Sequence, residues 1–228
     1  MKILLTGSRG MVGRNIVENF GAQSHKILTP TSVELNLLNT EGVQNYINTN
    51  KPDMVIHAAG IVGGIQANIA QPVKFLVDNM RMGLNILMSA KTCSVKKFMN
   101  LSSSCMYPKD VHKPLSEDLI LKGELEPTNE GYAIAKVAST RLCEYINRED
   151  ESYLYKTIIP CNLYGRHDKF DPEKSHMIPA VIRKISGAKD KGLKSIDIWG
   201  DGQARREFMY ASDFADFVYY AINHFETM

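Results

Sequence analysis

A tyrosine and a lysine stand four residues apart in the segment GYAIAK, as Tyr132 and Lys136. Residues with this spacing share one face of a helix, so the segment predicts a phenol beside an ammonium group. A nearby positive charge favours the phenolate and lowers the pKa of the phenol from about 10, which makes Tyr132 a usable acid or base for a carbonyl or hydroxyl group. An isolated pair of this kind is also typical of an exposed aromatic beside a solvated lysine.

A run of hydroxyls and one thiol, LSSSCMYP, follows the apolar segment KKFMN. On its residues alone it predicts either an ordinary polar turn or side chains that point into a cleft at the end of a strand. In the second case Ser103 would hold a substrate oxygen while Tyr132 supplies a proton. The thiol of Cys105, in the middle of the run, is harder to explain than the serines.

A glycine-rich segment follows the first apolar run, KILLT, and precedes a helical pattern. Glycine is needed where backbone approaches a pyrophosphate, and the helix that follows offers free N–H groups and the positive end of its dipole. The spacing is GxxGxxG rather than GxGxxG, so the segment also fits a structural turn, but its place in the first βα unit favours a dinucleotide. The predicted cofactor-binding residues are Gly7, Ser8, Arg9, Gly10, Met11, Val12 and Gly13.

The end of the second predicted strand bears on the choice of dinucleotide. Leu28 is followed by TPTS, without the carboxylate that grips the ribose 2′-hydroxyl of NAD. Arg9 would neutralise a 2′-phosphate, and Ser32 would donate a hydrogen bond to it. The sequence therefore favours NADP(H) over NAD as the cofactor.

These groups need elements to position them, and the chain supplies an alternating pattern. Short apolar runs alternate with longer segments of helical period, which predicts an α/β protein with a Rossmann-like, doubly wound parallel sheet. Residues 1–165 are predicted to form an NADP-binding Rossmann domain, and residues 166–228 the start of a smaller substrate-binding lobe. Within that lobe we expect a helix over 177–186, a strand at SIDIWG and a last helix over 212–224, capped by Ser212 or Asp213.

Composition excludes several other classes of protein. The formal charge of +2 is spread along 228 residues, which gives no reason to expect nucleic acid or a membrane surface as partner. No apolar run approaches the roughly 20 residues of a membrane span, and the first residues lack a signal peptide, so a cytoplasmic location is expected. The four cysteines show no CxxC spacing, so we expect free thiols and no metal site.

The glycine segment, the hydroxyl run and the Tyr132–Lys136 pair together resemble the extended short-chain dehydrogenase/reductase family, which works mostly on nucleotide sugars. The closer resemblance is to the GDP-fucose synthase family of bifunctional epimerase/reductases. It covers essentially the whole chain, through GSRGMVG, ELNLL, HAAGIVGGIQAN, SSCMYP, LEPTNEGYAIAK, NLYGRHDKF, SHMIPAVIRK and WGDGQARREF. The resemblance implies NADPH-dependent conversion of GDP-4-keto-6-deoxy-D-mannose to GDP-L-fucose.

The same resemblance implies roles for the chemical groups. Tyr132 is the proton donor, Lys136 its partner and a cofactor ligand, and Ser103 orients the keto oxygen. Cys105 and His176 are implied as the acid/base pair of epimerisation. A C4 ketone acidifies the hydrogens on C3 and C5, and a thiol and an imidazole both exchange protons near neutral pH.

Further ligands are implied by the family's arrangement. The cofactor would also contact Ser32, Ala58, Ala59, Leu101, Ser102, Pro160, Asn162, Leu163 and His176. The substrate would be held by Lys184, Trp199 and Arg206, with the two cations facing its phosphates. His57 is expected to be structural.

Alternatives to this activity stay open to different degrees. A dehydratase would carry an acidic pair where Ser104 and Cys105 stand, and a simple 4-epimerase needs no second acid/base pair, so both are disfavoured. GDP-4-keto-3,6-dideoxymannose, the GDP-L-colitose precursor, would use the same machinery with epimerisation at C5 only. A non-catalytic dinucleotide-binding protein is the alternative of a different class, although mere binding needs no epimerisation pair.

The chain departs from the family's pattern in three places. Arginines often found after the second strand are missing, which weakens the NADP assignment. Lys184 stands where an arginine is usual, so it keeps the charge without a bidentate grip. The chain stops at Met228, short of most members, so we expect an incomplete substrate lobe and weak or lost GDP-sugar binding.

Homodimerisation is also expected from the resemblance. The two helices predicted over 75–93 and 132–148 would pack against the same helices of a second subunit as a bundle.

Overall fold

Five apolar segments form a parallel sheet in the computed structural model. The structure describes residues 1–20, 25–111, 113–171, 175–198, 200–203 and 205–228. The order across the sheet is β2-β1-β3-β4-β5. The strands are β1 (Lys2–Thr6), β2 (Lys26–Leu28), β3 (Met54–His57), β4 (Lys97–Leu101) and β5 (Leu154–Ile158). Helices cover both faces, so the predicted α/β class with a Rossmann-like parallel sheet is confirmed.

The helices lie between the strands, as the alternating sequence pattern predicts. The first five are α1 (Met11–Phe20), α2 (Thr40–Asn50), α3 (Ile65–Ala70), α4 (Pro72–Thr92) and α5 (Glu130–Glu149). Two 3-10 turns, Ser104–Met106 and Glu117–Leu119, lie between β4 and α5. After β5, a second parallel sheet pairs β6 (Asn162–Tyr164) with β7 (Phe208–Tyr210), with α6 (Met177–Asp190) between them and α7 (Ala211–Asn223) after them.

The sheet separates two hydrophobic clusters, because successive side chains of a strand point to opposite faces. Leu4 of β1 packs in one cluster with residues of α2, α4 and α5. Ile3 and Leu5 of the same strand pack in the other, with residues of α1 and α7. Burial on both faces explains why the strand sequences are continuously apolar.

Helix α7, in the C-terminal part of the chain, belongs to this second cluster. Phe214, Val218 and Ile222 pack against β1, β3 and β4 side chains such as Leu5 and Ile56. The predicted lobe, residues 166–228, therefore includes a helix that covers the Rossmann sheet itself. The sequence showed an apolar helix but not which surface it covers.

Two local predictions for the last segment were wrong. The described residues of SIDIWG, 195–198 and 200, form no strand. Helix α7 begins at Ala211 with Tyr210 at the N-cap position and no side-chain cap bond, so neither Ser212 nor Asp213 caps it. Among the described residues, no helix is long and apolar enough to cross a membrane.

We predict that Phe214→Ala destabilises the whole sheet. Phe214 is 2% exposed in the second cluster, and truncating a buried phenylalanine costs about 3 kcal/mol or more of unfolding free energy. Urea unfolding measures the loss, and Phe217→Ala is the matched control because that ring, in the same helix, is 38% exposed. Equal effects of the two variants would show that α7 is not packed into this core.

Candidate active site

A cavity of about 860 Å³ opens at the carboxyl ends of the strands. The chain crosses there from the β1–β2 side of the sheet to the β3–β4–β5 side, and ligands of open α/β sheets bind at such a point. The wall comprises the glycine segment, the loops after β2, β3, β4 and β5, the start of α5 and the start of α6.

The predicted site residues are brought together in this cavity to a large extent. All five candidate catalytic residues, Ser103, Cys105, Tyr132, Lys136 and His176, line it. So does every predicted cofactor-binding residue: Gly7, Ser8, Arg9, Gly10, Met11, Val12, Gly13, Ser32, Ala58, Ala59, Leu101, Ser102, Pro160, Asn162 and Leu163.

The glycine segment packs so closely that two of its positions leave no space for a side chain. Gly7 has φ of +73°, and a Cβ there would lie 2.6 Å from the backbone of Ala58 and Ala59. A Cβ on Gly13 would lie 2.2 Å from the Gly7 carbonyl oxygen. The loop therefore presents backbone to the cavity at the N-terminus of α1, where helix N–H groups have no partner within the helix, and this arrangement fits a pyrophosphate.

The loop after β2 forms part of the wall of the same cavity. Pro30, Thr31 and Ser32 line it, as does Arg9. Glu34 in this loop accepts a hydrogen bond from the backbone N–H of Thr31 at 2.7 Å. Hydrogen bonds from Thr31, with a smaller effect of the Arg9 charge, lower the pKa of Glu34.

The hydroxyl run turns into the cavity as a short 3-10 helix rather than an irregular loop. Ser103 is its N-cap, and the Ser103 Oγ accepts a hydrogen bond from the backbone N–H of Cys105 at 3.4 Å. Burial raises the pKa of the Cys105 thiol, while a hydrogen bond with Ser103 and the charge of Lys136 act in the opposite direction. The buried Ser102 hydroxyl donates to Met106 Sδ at 3.0 Å.

Tyr132 and Lys136 lie on the face of α5 that borders the cavity. The Lys136 ammonium group donates to the Leu101 carbonyl oxygen at 2.9 Å and lies 5.7 Å from the centroid of the Tyr132 ring. Burial lowers the pKa of Lys136 to about 8. Burial also raises the pKa of Tyr132, and the Cys105 thiol adds to that rise, so the lowered pKa that the sequence predicted for Tyr132 was wrong.

His57, which the sequence predicts to be structural, is buried and does not line the cavity. Its Nδ1 is 2.8 Å from the Thr6 Oγ1, which joins the ends of β3 and β1. Burial, assisted by the charge of Lys136, lowers the pKa of His57 to about 3. The ring is therefore neutral at physiological pH.

The candidates from the predicted lobe divide into two groups. His176 is exposed at the N-cap position of α6 and lines the cavity. Lys184 and Arg206 lie outside the cavity wall, where Lys184 donates to the Asp197 carbonyl oxygen at 2.7 Å and Arg206 to that of Arg205. Trp199 lies outside the described residues.

Sequence reasoning missed several cavity-lining residues. They are Leu35, Asn36, Leu37, Leu38, Ile61, Val62, Asn68, Phe75, Asn129 and Asp168. The segments ELNLL, HAAGIVGGIQAN and LEPTNEGYAIAK contain most of them, so the signal was present as a motif. Which side chains face the cavity depended on tertiary packing.

The fold and the site define a dinucleotide-binding enzyme of the Rossmann type, in which a tyrosine and a lysine face the cofactor groove. The sequence matches the NAD dependent epimerase/dehydratase family over residues 3–228, and the chain belongs to that family. The predicted resemblance to extended short-chain dehydrogenases/reductases is thereby confirmed.

Two relatives and one solved structure show which enzymes of this family the chain is similar to. The chain is 60% identical over 228 residues to the GDP-L-colitose synthase of Yersinia pseudotuberculosis. That alignment covers 100% of this chain and 74% of the synthase. It is 52% identical over 221 residues to the GDP-L-fucose synthase of Azorhizobium caulinodans, covering 97% and 70%. A GDP-L-fucose synthetase of Naegleria fowleri, solved with NADP bound, superimposes with a TM-score of 0.88 at 29% identity, covering 97% of this chain and 72% of that one.

We predict that His57 makes the protein less stable in acid. Its pKa is about 3 when folded and 6.5 as a free side chain, so stability is full above pH 6.5 and falls as the pH drops toward 3, by about 4 kcal/mol. In His57→Gln, urea unfolding between pH 6.5 and pH 3 should show a correspondingly smaller loss than in the parent protein. The control is the exposed His224→Gln; an unchanged slope in His57→Gln would contradict the prediction.

Proposed function

We propose that the protein is an NADPH-dependent bifunctional enzyme that converts GDP-4-keto-6-deoxy-D-mannose to GDP-L-fucose. One observation carries the proposal: Cys105 and His176 line the same cavity as Ser103, Tyr132 and Lys136. Cys105 and His176 suit proton exchange at the carbons next to a ketone. The other three residues suit protonation of the ketone oxygen during reduction.

NADP(H) is the proposed cofactor, and when bound it supplies or accepts a hydride at the nicotinamide ring. The glycine segment would hold the pyrophosphate, and Arg9 and Ser32, which line the same cavity, would face a 2′-phosphate. The NADP found in the Naegleria fowleri relative supports this choice.

Epimerisation would use two groups that the chain brings from distant segments. Cys105 comes from the turn after β4, and His176 from the start of α6. One would remove a proton from a carbon beside the ketone, and the other would return a proton to the opposite face. The positive charge of Lys136 favours the thiolate that this exchange requires, against the effect of burial.

Reduction would use the other three residues. Because burial raises its pKa, Tyr132 holds its proton near neutral pH and is suited to donate it to the ketone oxygen. Ser103 would orient that oxygen from the neighbouring turn. Lys136, with a pKa of about 8, is mostly charged at neutral pH and would stabilise the phenolate formed when Tyr132 gives up its proton.

The nucleoside diphosphate would extend from the cavity toward the second sheet. We assign the beginning of the substrate-binding lobe to the segment from residue 166 through α6, with α7 returning to the Rossmann sheet. Lys184 and Arg206 carry positive charge in this part of the chain and remain candidates to contact the phosphates, as does Trp199 for the rest of the nucleotide.

GDP-L-colitose synthesis from GDP-4-keto-3,6-dideoxymannose is the second candidate. The 60% identity to a GDP-L-colitose synthase favours it. The same residues would act, with proton exchange at C5 only, because a ring without a C3 hydroxyl has no C3 configuration to invert.

We predict that single variants separate the two reactions. In deuterated water with NADPH and GDP-4-keto-6-deoxymannose, Cys105→Ser should slow deuterium entry at C3 and C5 by about 100-fold and spare NADPH oxidation. Tyr132→Phe should do the reverse. Mass spectrometry follows the deuterium, and absorbance of the reduced nicotinamide follows the oxidation.

The control is Cys93→Ser, because Cys93 lies outside the cavity wall and should affect neither reaction. Loss of the same step in both test variants would contradict the division of roles. Absence of both reactions in the parent protein, with NADPH still bound, would favour the non-catalytic dinucleotide-binding protein.

We also propose a homodimer, formed by α4 and α5 of each subunit. Exposed apolar side chains follow one another along these two adjacent helices: Val73, Val77, Leu84 and Met88 on α4, and Ile134 and Tyr145 on α5. Val77→Glu combined with Tyr145→Glu should shift the sedimentation equilibrium mass from dimer to monomer, since charges are unfavourable inside an apolar interface. Ile185→Glu, on exposed α6, is the control, and a monomeric parent protein would refute the proposal.

A further inference from the structure

The loop after β6, residues 165–169, forms part of the cavity wall, and we name it the GRHDK loop. His167, Asp168 and Lys169 of this loop line the cavity together with the whole glycine segment. His167 has φ of +69°, in the left-handed region that a residue with a side chain rarely adopts. Because this conformation is unfavourable by itself, contacts with the rest of the protein have to hold it.

Helix α1 supplies such contacts from Asn15 and Glu18, which are three residues apart and share one face of the helix. Asn15, 4% exposed, donates from Nδ2 to the carbonyl oxygen of Met11 at 2.9 Å and to that of Arg166 at 3.1 Å. One nitrogen therefore bonds both the glycine segment and the GRHDK loop. The backbone of the loop lies next to the segment that is predicted to hold the pyrophosphate.

Glu18 contacts the side chains of the same loop. One carboxylate oxygen of Glu18 lies 3.3 Å from a guanidinium nitrogen of Arg166, and the other lies 2.6 Å from His167 Nε2. The carboxylate thus bridges two consecutive residues, one of which has the positive φ. Glu18 and Arg166 both lie outside the cavity wall, so their side chains act on a ligand only through the loop.

The exposure of these groups argues against a role in global stability. The side chain of Glu18 is 43% exposed and that of Arg166 is 66% exposed, and water screens ion pairs of this kind. Placing a loop requires less free energy than folding a domain. The apparent affinity for a ligand falls in proportion to the fraction of molecules whose loop is in place, so a weak contact is enough to change it.

We infer that Glu18 is a positioning residue for NADP(H), because it holds the GRHDK loop in the wall beside the glycine segment. The inference rests on the proposed function and deepens it, since it adds to the cofactor site a residue that does not line the cavity. Glu18 favours the loop conformation that bounds the dinucleotide groove. Its loss allows the loop to leave the wall and the bound cofactor to escape faster.

Binding of NADPH tests this inference without requiring turnover. Nicotinamide fluorescence gives the dissociation constant by titration, and the dissociation rate by stopped flow when excess NADP⁺ displaces the bound NADPH. Glu18→Ala should raise the dissociation constant about fivefold, as expected for a partly exposed ion pair, and mainly through faster dissociation. Its melting temperature should change by no more than about 3 °C.

Arg166→Ala shows whether Glu18 acts through the loop. In the parent protein this variant should raise the dissociation constant about threefold, and in the Glu18→Ala background it should have no further effect. Glu18→Gln should give an intermediate dissociation constant, because the amide keeps an oxygen for His167 but loses the charge that attracts Arg166.

Glu226→Ala is the matched control. It removes an ion pair with Lys97 at 2.9 Å, which also joins distant segments, and both residues lie outside the cavity wall. This variant should leave the dissociation constant for NADPH unchanged.

The outcomes distinguish this inference from the proposed function. Parent-like NADPH affinity in Glu18→Ala, additive effects of Glu18→Ala and Arg166→Ala, or an equal loss in Glu226→Ala would overturn the role of Glu18 and leave the enzyme proposal in place. Failure of the parent protein to bind NADPH would overturn both. Weaker binding in Glu18→Ala and Arg166→Ala that is not additive, with Glu226→Ala unchanged, would establish the role.

Discussion

One buried ammonium group connects most parts of the candidate active site. Lys136 Nζ donates to the carbonyl oxygen of Leu101, which joins α5 to the end of β4 just before the hydroxyl run. Burial dominates the pKa of both its neighbours, raising that of Cys105 and lowering that of His57. The Lys136 charge opposes the rise at Cys105 and adds to the fall at His57. Burial lowers the pKa of Lys136 to about 8, so the fraction of Lys136 that is charged depends on the fold that buries it.

A second constraint is the close approach of backbone at the switch point of the sheet. Gly7 and Gly13 leave no space for a Cβ, because the turn after β1 packs on the chain after β3 and the start of α1 packs on the turn. This contact brings the glycine segment and Ala58–Ala59 to one side of the cavity. The neighbouring strand ends then place the Ser104–Met106 turn and the chain after β5 opposite them, with the Ser104 N–H bonded to the Pro160 carbonyl oxygen at 3.2 Å.

Much of this arrangement follows from local signals. The alternation of apolar runs and helical periods predicted the parallel sheet, and motifs identified the residues that the cavity gathers, from Arg9 to His176. The failures have a common cause. The capping prediction for α7 and the strand expected at SIDIWG both depended on how the segment packs in the fold. Periodicity identifies an apolar face but not its partner.

The pKa of Tyr132 shows the same division between sequence and structure. The sequence by itself determined the fold class, the glycine segment and the set of candidate proton-exchanging side chains, because these depend on residue type and short spacing. Spacing placed Lys136 on the same helix face as Tyr132 and predicted a lowered pKa. The tertiary structure decided otherwise, since burial outweighs a lysine whose ammonium group is bonded to Leu101.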